Sequence, residues 1–395
     1  MAIAKGSKSQ VIWKQESSYG VAPGGNWNQL PLNSETLDEN INTVQGEDIR
    51  ADRANPALRG GNISTAGGIT HDFGPVRSLT FFRHLLASGG LATSTLTVSD
   101  IAISTTYNRG DYVIGADDSV WCAVRGGVTT ANSGDIVLNT GLGTRVELPE
   151  ASSGPNLIFE LASATTVNVY EHTLVPGIDF PAVGLSMAKK IVGGNSPLYV
   201  NFTGCRVNSC DLTIPQEGIV KAAWNVIARR SAKATSEPGG TPTLFAEDPY
   251  AGFNAYVHYN GDAKGNANRA VREMNATITN NVDESCFVIG DRFRVDLPEG
   301  IRRASGRISM YFLDATEYDN FKNEDKISMG VSFVHFGLFI KIDFAEVKIT
   351  GSGTPKISGQ GAMTADYEWT AFKLSSTNEI TITARNLTAA ASIPV

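Results

Sequence analysis

LNSETLDENINTVQGEDIRADRANPALRGGNISTAGGITHDFGPVRSLTFFRHLL (32–86) decides the fold once it is set beside MNATITNNVDESCFVIGDRFRVDLPEGIRRASGRISMYFLDATEYDNFKNE (274–324). Each stretch opens on alternating apolar and polar residues, the period of a half-buried strand. Each then passes a Gly-Glu-Asp or Gly-Asp-Arg turn, crosses an arginine-rich loop, and returns as a glycine-led strand running into a short helical stretch. A second pair follows in the same order. LYVNFTGCRVNSCDLTIPQEGIVKAAWNVIARR (198–230) parallels FIKIDFAEVKITGSGTPKISGQGAMTADYEWTAFKL (339–374), with Trp224 and Trp369 at matching places. The entries at 10–34 and 254–276 also resemble each other. Three pairings in one order predict a tandem duplication of one β-rich domain.

The expected boundaries are a first copy over 1–94 and 171–231, a linker over 232–248, and a second copy over 249–395. Residues 95–170 have no counterpart and read as an inserted all-β module with a hairpin, VIGADDSVWCAV, turning at Ala-Asp-Asp-Ser. From Asp100 to Glu160 eight acids face three arginines, so most of the chain's net charge of −7 lies on the insert. Two helices are expected. Pro75–Ser88 has Pro75 at its first position and Gly89–Gly90 as its stop. Ala315–Lys326 has Asp314 as N-cap, Glu317 behind it, and Tyr318 and Phe321 on one face.

Composition narrows the function. The chain has 395 residues, 42% of them hydrophobic, which is ample for a core and too apolar for disorder. Forty acids against 33 bases oppose an electrostatic clamp on nucleic acid. Val331–Phe344, the most apolar run, is interrupted by His335, Lys341 and Asp343 and is no membrane span. The opening MAIAKGSKSQVIWK has no apolar core of a secretory signal. Cys122, Cys205, Cys210 and Cys286 read as free thiols, and Cys205 and Cys210, an odd number apart, should face opposite sides of a strand. The five histidines form no metal-ligand pair; His71–Asp72 is the best acid–base pair and lacks a nucleophile. No phosphate loop or EF-hand loop is present, so no catalytic, metal or cofactor site is expected.

An architectural role remains, and one opening motif gives it a direction. Glu16, Tyr19, Gly20, Ala22, Pro23, Trp27, Leu30–Pro31, Ser34 and Leu37 resemble the start of the tail tube (major tail) proteins of tailed bacteriophages. The 46–53 run Gly-Glu-Asp-Ile-Arg-Ala-Asp-Arg, the Gly60–Gly74 segment and GCRVNSCDLTI (204–214) continue the resemblance, which covers most of the chain outside 95–170. It implies a mainly β fold: two tandem tail-tube-type β-sandwich or barrel domains, each with one short helix, plus the inserted all-β module. It also implies a non-enzymatic virion protein, assembled in the host bacterial cytoplasm, whose rings stack into a tube for DNA ejection. Its expected partners are itself, the tape-measure protein and the tail-tip or terminator proteins. DNA passes without specific binding, and no membrane is involved.

Members of that family usually form six-fold rings from one domain per chain. Two domains per chain then predict a trimeric ring with pseudo-six-fold symmetry, with a hexamer of whole chains as the alternative. The charged loops are the expected ring-to-ring contacts: Glu47, Asp48, Arg50, Asp52, Arg53 and Arg59 in one, Asp291, Arg292, Arg294, Arg302 and Arg303 in the other. Two other readings compete. One is another tail ring protein of the baseplate or terminator. The other is a multidomain carbohydrate-binding or adhesion protein that stacks a sugar on Trp121, whose spacing to Tyr107, Gly110–Asp111 and Val113 is similar to that of small carbohydrate-binding modules.

Overall fold

Alternating residues pair into strands along most of the chain. A computed structural model describes residues 6–47, 55, 57–86, 91–102, 104–129, 138, 140–148, 156–193, 196–244, 247–259, 270–351, 354–355, 361–374 and 377–387. Strands β1 (Gln10–Gln15), β2 (Asn28–Leu30) and β3 (Ser34–Glu35) lead into the hairpin β4 (Asp38–Gln45) and β5 (Leu58–Asp72). Helix α1 (Pro75–Leu85) and β6 (Ala92–Leu96) follow. Short strands come next: β7 (Ser99–Asp100), β8 (Thr106–Tyr107), β9 (Tyr112–Ile114), β10 (Val120–Arg125), β11 (Gly127–Val128), β12 (Arg145–Leu148) and β13 (Leu157–Ser163). The chain then forms β14 (Val169–Leu174), β15 (Leu185–Ile191), β16 (Leu198–Ile214), β17 (Lys221–Ala228), β18 (Arg230–Ala234) and β19 (Thr243–Leu244). It ends through β20 (Ala255–Tyr259), β21 (Val271–Thr279), β22 (Arg303–Tyr311), α2 (Thr316–Lys322), β23 (Ile327–His335), β24 (Leu338–Gly351), β25 (Thr364–Ala371) and β26 (Ile380–Asn386).

Eight of these stand side by side in the order β4, β5, β17, β16, β21, β22, β25, β24, each neighbouring pair antiparallel. β16 is long enough to serve two layers. Its first half pairs with β15 and β18, its second half with β17 and β21. Helix α1 lies between the layers: Phe81 stands 5.5 Å from the Trp13 ring of β1 and 5.3 Å from the Trp224 ring of β17. Both tryptophans are fully buried, as is Trp369, so aromatic area closes the core.

Local sequence explains α1. Pro75 opens it because a missing N–H costs nothing there, and Leu86 closes it with its N–H on the Phe82 carbonyl. Its N-cap, Gly74, has no side chain to offer, so the first N–H groups turn to Glu247, far along the chain: Val76 donates at 2.8 Å and Arg77 at 3.1 Å.

Four local expectations change. Helix α2 is shorter than Ala315–Lys326, and Ala315 rather than Asp314 stands at its N-cap; Asp314 accepts instead from the Thr316 N–H at 2.9 Å. Its buried residue is Glu317, while Tyr318 faces solvent, because the helix meets the core only along the side that carries Phe321. Cys205 and Cys210 share the core instead of facing apart, since Asn208 bulges out between the pairs Val207–Val226 and Ser209–Asn225 and resets the alternation. Trp224 sits opposite Ile69, and Trp369 opposite Gly306. Measured from Lys221 and Thr364, which pair with the strand ends Asp72 and Tyr311, the two tryptophans are offset by two residues.

The stretch expected to be a linker is held down. Ala232, Lys233 and Ala234 belong to β18, Glu237 pairs with Lys190 at 2.6 Å, and Gly239 crosses the face of Trp27 so closely that a Cβ would stand 2.0 Å from the indole. Strands β7, β9, β10, β12 and β13 form their own five-stranded sheet, in the order β12-β13-β10-β9-β7, over a core of Trp121, Phe159, Leu138 and Leu157. β6 and β14 pair as an antiparallel stem where this part leaves and rejoins the chain, Leu96 opposite Val169.

Candidate assembly surface

The eight-strand array has one buried and one polar face. Alternate side chains such as Ile69, Trp224, Cys210, Ile278, Ile308 and Tyr367 enter the core. Their neighbours carry Asp72, Asp211, Glu273, Asp366 and Glu368 against Lys221, Arg303, Arg307 and Lys348, interspersed with Ser, Thr and Asn. Arg307 is tied to Asp366 at 2.6 Å, and Thr277 donates to Asp211 at 2.5 Å. Lys348 is also paired, with Glu324 at 3.1 Å, and a sheet face with more carboxylates than cations repels a polyanion.

The array has a joint in its middle and open edges at its ends. At the joint, Cys210 lies opposite Ile278 and Ile214 opposite Met274. Buried Asn280 clamps it: the side-chain amide donates to the carbonyls of Leu85 (2.6 Å) and Val207 (3.1 Å), and the backbone N–H donates to Asn208 (2.8 Å). At one end β4, among the described residues, pairs only with β5, which also pairs briefly with β3, and all eight residues of β4 are exposed. The outer half of that hairpin extends past β17, with Ile41, Val44 and Leu58 at 45%, 58% and 65% exposure.

The charged residues expected at ring contacts separate into two groups. Glu47 and Arg59 are exposed at the β4–β5 hairpin, and Arg303 is exposed at the start of β22. Asp48, Arg50, Asp52 and Arg53 lie outside the described residues. The others have partners within the chain. Arg294 is buried and binds Glu284 at 2.6 Å, with further bonds to the carbonyls of Thr65 and Ala228. Arg302 caps the end of α1 through the Leu86 carbonyl (3.1 Å) and pairs with Glu379 (3.3 Å). Arg292 donates to the Gly61 carbonyl at 2.8 Å, and Asp291 pairs with Arg230. Segment 280–302 thus folds back along β5 and β17, with Val282 and Leu297 packed on Phe180 and Ile227. Sequence reading missed Asn280 and Glu247; a buried-joint amide and a remote helix cap leave no local pattern.

The candidate chemistry resolves into structure. His71 Nδ1 meets the backbone carbonyl of Asp72 rather than its carboxylate, and its Nε2 accepts from the Trp224 indole at 2.8 Å. Burial lowers the His71 pKa to about 4. Trp121 is fully buried and donates to Ser119 Oγ at 2.6 Å, so it offers no face to a sugar. All four cysteines are free, and burial pushes the Cys122 thiol up to about 12. Among the described residues no cluster of three His, Cys, Asp or Glu side chains is placed to hold a metal ion, and no helix is long and apolar enough to cross a membrane.

A continuous antiparallel array with a polar face, an internal joint and open edges defines a self-assembling structural protein. A family model described as phage tail tube protein matches residues 6–371, and the chain belongs to that family. It is a structural, non-enzymatic component of the tail tube and part of the virion, and membership of the family implies self-polymerisation. No curated protein matches the chain.

Proposed function

We propose that each chain supplies two positions of a tube ring, so that three chains close a ring of six similar units. The β16–β21 joint carries this reading. The runs β4-β5-β17-β16 and β21-β22-β25-β24 share their antiparallel order, and in each a helix follows the second strand. Each also has a bulge between its last two strands, at Asn208 and at Thr350. One chain therefore holds one unit-to-unit joint and leaves β4 and the far end of β24, at Gly351, for its neighbours. Pairing those edges between copies as β16 pairs with β21 continues the sheet around a closed ring and removes the edge liability.

On this reading the polar face lines the lumen, where its excess of carboxylates lets DNA slide during ejection without being held. The β4–β5 hairpin reaches the next ring through exposed Ile41, Val44 and Leu58, and its charged contacts are Arg59 of β5 together with Glu47, Asp48, Arg50, Asp52 and Arg53, which lie between the two strands in sequence. The all-β part projects outward as a decoration; it is anchored on the β23–β24 turn, where the Tyr112 hydroxyl donates to the Gly337 carbonyl and the Phe336 N–H to Glu160. Tape-measure and terminator proteins are the partners at the lumen and the tube ends. Electron microscopy of assembled rings with rotational averaging tests the stoichiometry: three chains with six inner lobes are expected. Six whole chains per ring would overturn the two-position reading and leave the tube function standing.

A further inference from the structure

The open edge at β4 is not bare. The Thr36 N–H turns toward β5 and donates to the Gly68 carbonyl at 2.9 Å, so the backbone groups of Leu37 point the other way, out of the array. Both are taken up by side chains of the same chain. The Leu37 N–H donates to Glu35 Oε2 at 3.0 Å, and the Leu37 carbonyl accepts from Lys189 Nζ, on β15, at 2.7 Å. Glu35 and Lys189 also pair with each other at 2.9 Å. Two residues on, the Glu39 N–H donates to the Asp38 carboxylate at 2.8 Å.

The second half of the array has the matching strand without these caps. A Cβ on Gly67 of β5 would stand 2.4 Å from the Thr36 carbonyl oxygen, and one on Gly306 of β22 would stand 2.1 Å from the Asn275 carbonyl oxygen. That shared crossing sets Thr36 against Asn275, and with it Glu35 against Met274, Leu37 against Ala276, Asp38 against Thr277 and Glu39 against Ile278. In the β16–β21 joint Ala276 lies opposite Leu212, and Ile278 opposite Cys210. The positions that face a neighbouring strand in the joint are the ones capped at the edge. Where the strand is covered, Met274 and Thr277 stand in place of the capping carboxylates.

We propose that Glu35, Asp38 and Lys189 guard the β4 edge of the free chain and give way when an extended strand of a second copy takes the Leu37 and Glu39 backbone groups. The inference rests on the two-position reading, which makes this edge the seam between chains. Charge-assisted bonds are strong enough to compete with a stray strand, and charged side chains are a general means of keeping a sheet edge from pairing. The guard is also replaceable: the arriving strand offers a carbonyl for each N–H and an N–H for the carbonyl, while Glu35 and Lys189 keep each other.

Concentration-dependent assembly tests the guard. Glu35→Met with Asp38→Thr gives the edge the residues of the joint. The protein concentration at which light scattering and electron microscopy first show rings is then expected to fall about tenfold, the factor worth roughly one net hydrogen bond. Lys189→Met frees the Leu37 carbonyl from a different strand and is expected to move the onset in the same direction with β4 untouched. Thermal melts of the dilute proteins confirm that each variant is folded. An onset unchanged or raised in a folded variant overturns the guard. A lowered onset in rings of six whole chains keeps the guard and overturns the two-position ring.

Discussion

Glu247 and Arg77 meet at 2.6 Å with their side chains only 6% and 8% exposed, although the whole insert lies between them in sequence. The same carboxylate accepts from the Val76 and Arg77 N–H groups, and the Arg77 guanidinium also donates to the Glu247 carbonyl at 2.9 Å. One residue therefore caps the helix and neutralises a buried cation. Glu247→Ala leaves both amides without an acceptor and the guanidinium without its carboxylate, with only the backbone carbonyl of residue 247 remaining to it, and the loss is expected to reach about 3–5 kcal/mol. Chemical denaturation measures it; a loss below about 1 kcal/mol would show that water replaces the carboxylate.

Two histidines set an acid limit. Burial lowers the pKa of His71 to about 4 and that of His84 to about 3, and neither His84 ring nitrogen has a hydrogen-bond partner. A base whose folded pKa lies below its unfolded value is stable as the neutral form. Its contribution is complete above the unfolded pKa of about 6.5 and is lost as pH falls from there toward 4 and 3. Melting temperature is expected to be flat above pH 7 and to fall below pH 6. His84→Leu should hold its stability at pH 7 and shallow the acid slope; an unchanged slope would place the sensitivity elsewhere.

Asn280 joins the two halves of the array. Asn280→Ala removes the amide from the Leu85 and Val207 carbonyls in a buried site and is expected to cost about 2 kcal/mol. Asn280→Asp should cost at least as much, because it replaces the donor with a buried charge. Thermal melts of the three proteins decide it, and an alanine variant as stable as the parent would count against the clamp.

Charge reversal tests the hairpin contact. Arg50→Glu with Arg53→Glu is expected to leave folded rings that do not stack, since the carboxylates they would meet on the next ring then repel them. Tube length measured by electron microscopy is the readout, and tubes of normal length would remove these residues from the contact.

Trp121 is a packing residue of the outer part. Trp121→Ala should destabilise that part by about 3–5 kcal/mol while leaving tube assembly intact. Hydrogen exchange confined to residues 99–163 is the expected signature; faster exchange throughout β16 and β21 would mean that the part supports the whole fold.

Legibility followed the range of the interactions. Pro75 marked the start of α1 because the missing N–H acts within one turn. The strands of 198–230 and 339–374 were legible because pleating imposes its period on neighbouring side chains. Cys205 and Cys210 were misplaced on the same rule, since a bulge at Asn208 follows from how β16 meets β17 and not from any residue in the run. Asp314 looked like a cap, but α2 begins at Thr316, after it. Arg294 and Arg302 looked like loop charges until segment 280–302 folded back and gave them carbonyls and carboxylates to bind.

By itself the sequence determined the β class, both helix sites, the acidic balance and the family motif, because each depends on residue chemistry or on spacing within a few positions. The tertiary structure alone decided what covers α1, which arginines stay available at the surface, how the strand run crosses the β16–β21 joint, and which edges remain open. Those outcomes arise from groups far apart in sequence, where a carboxylate such as Glu247 finds its partner only after the intervening chain has packed.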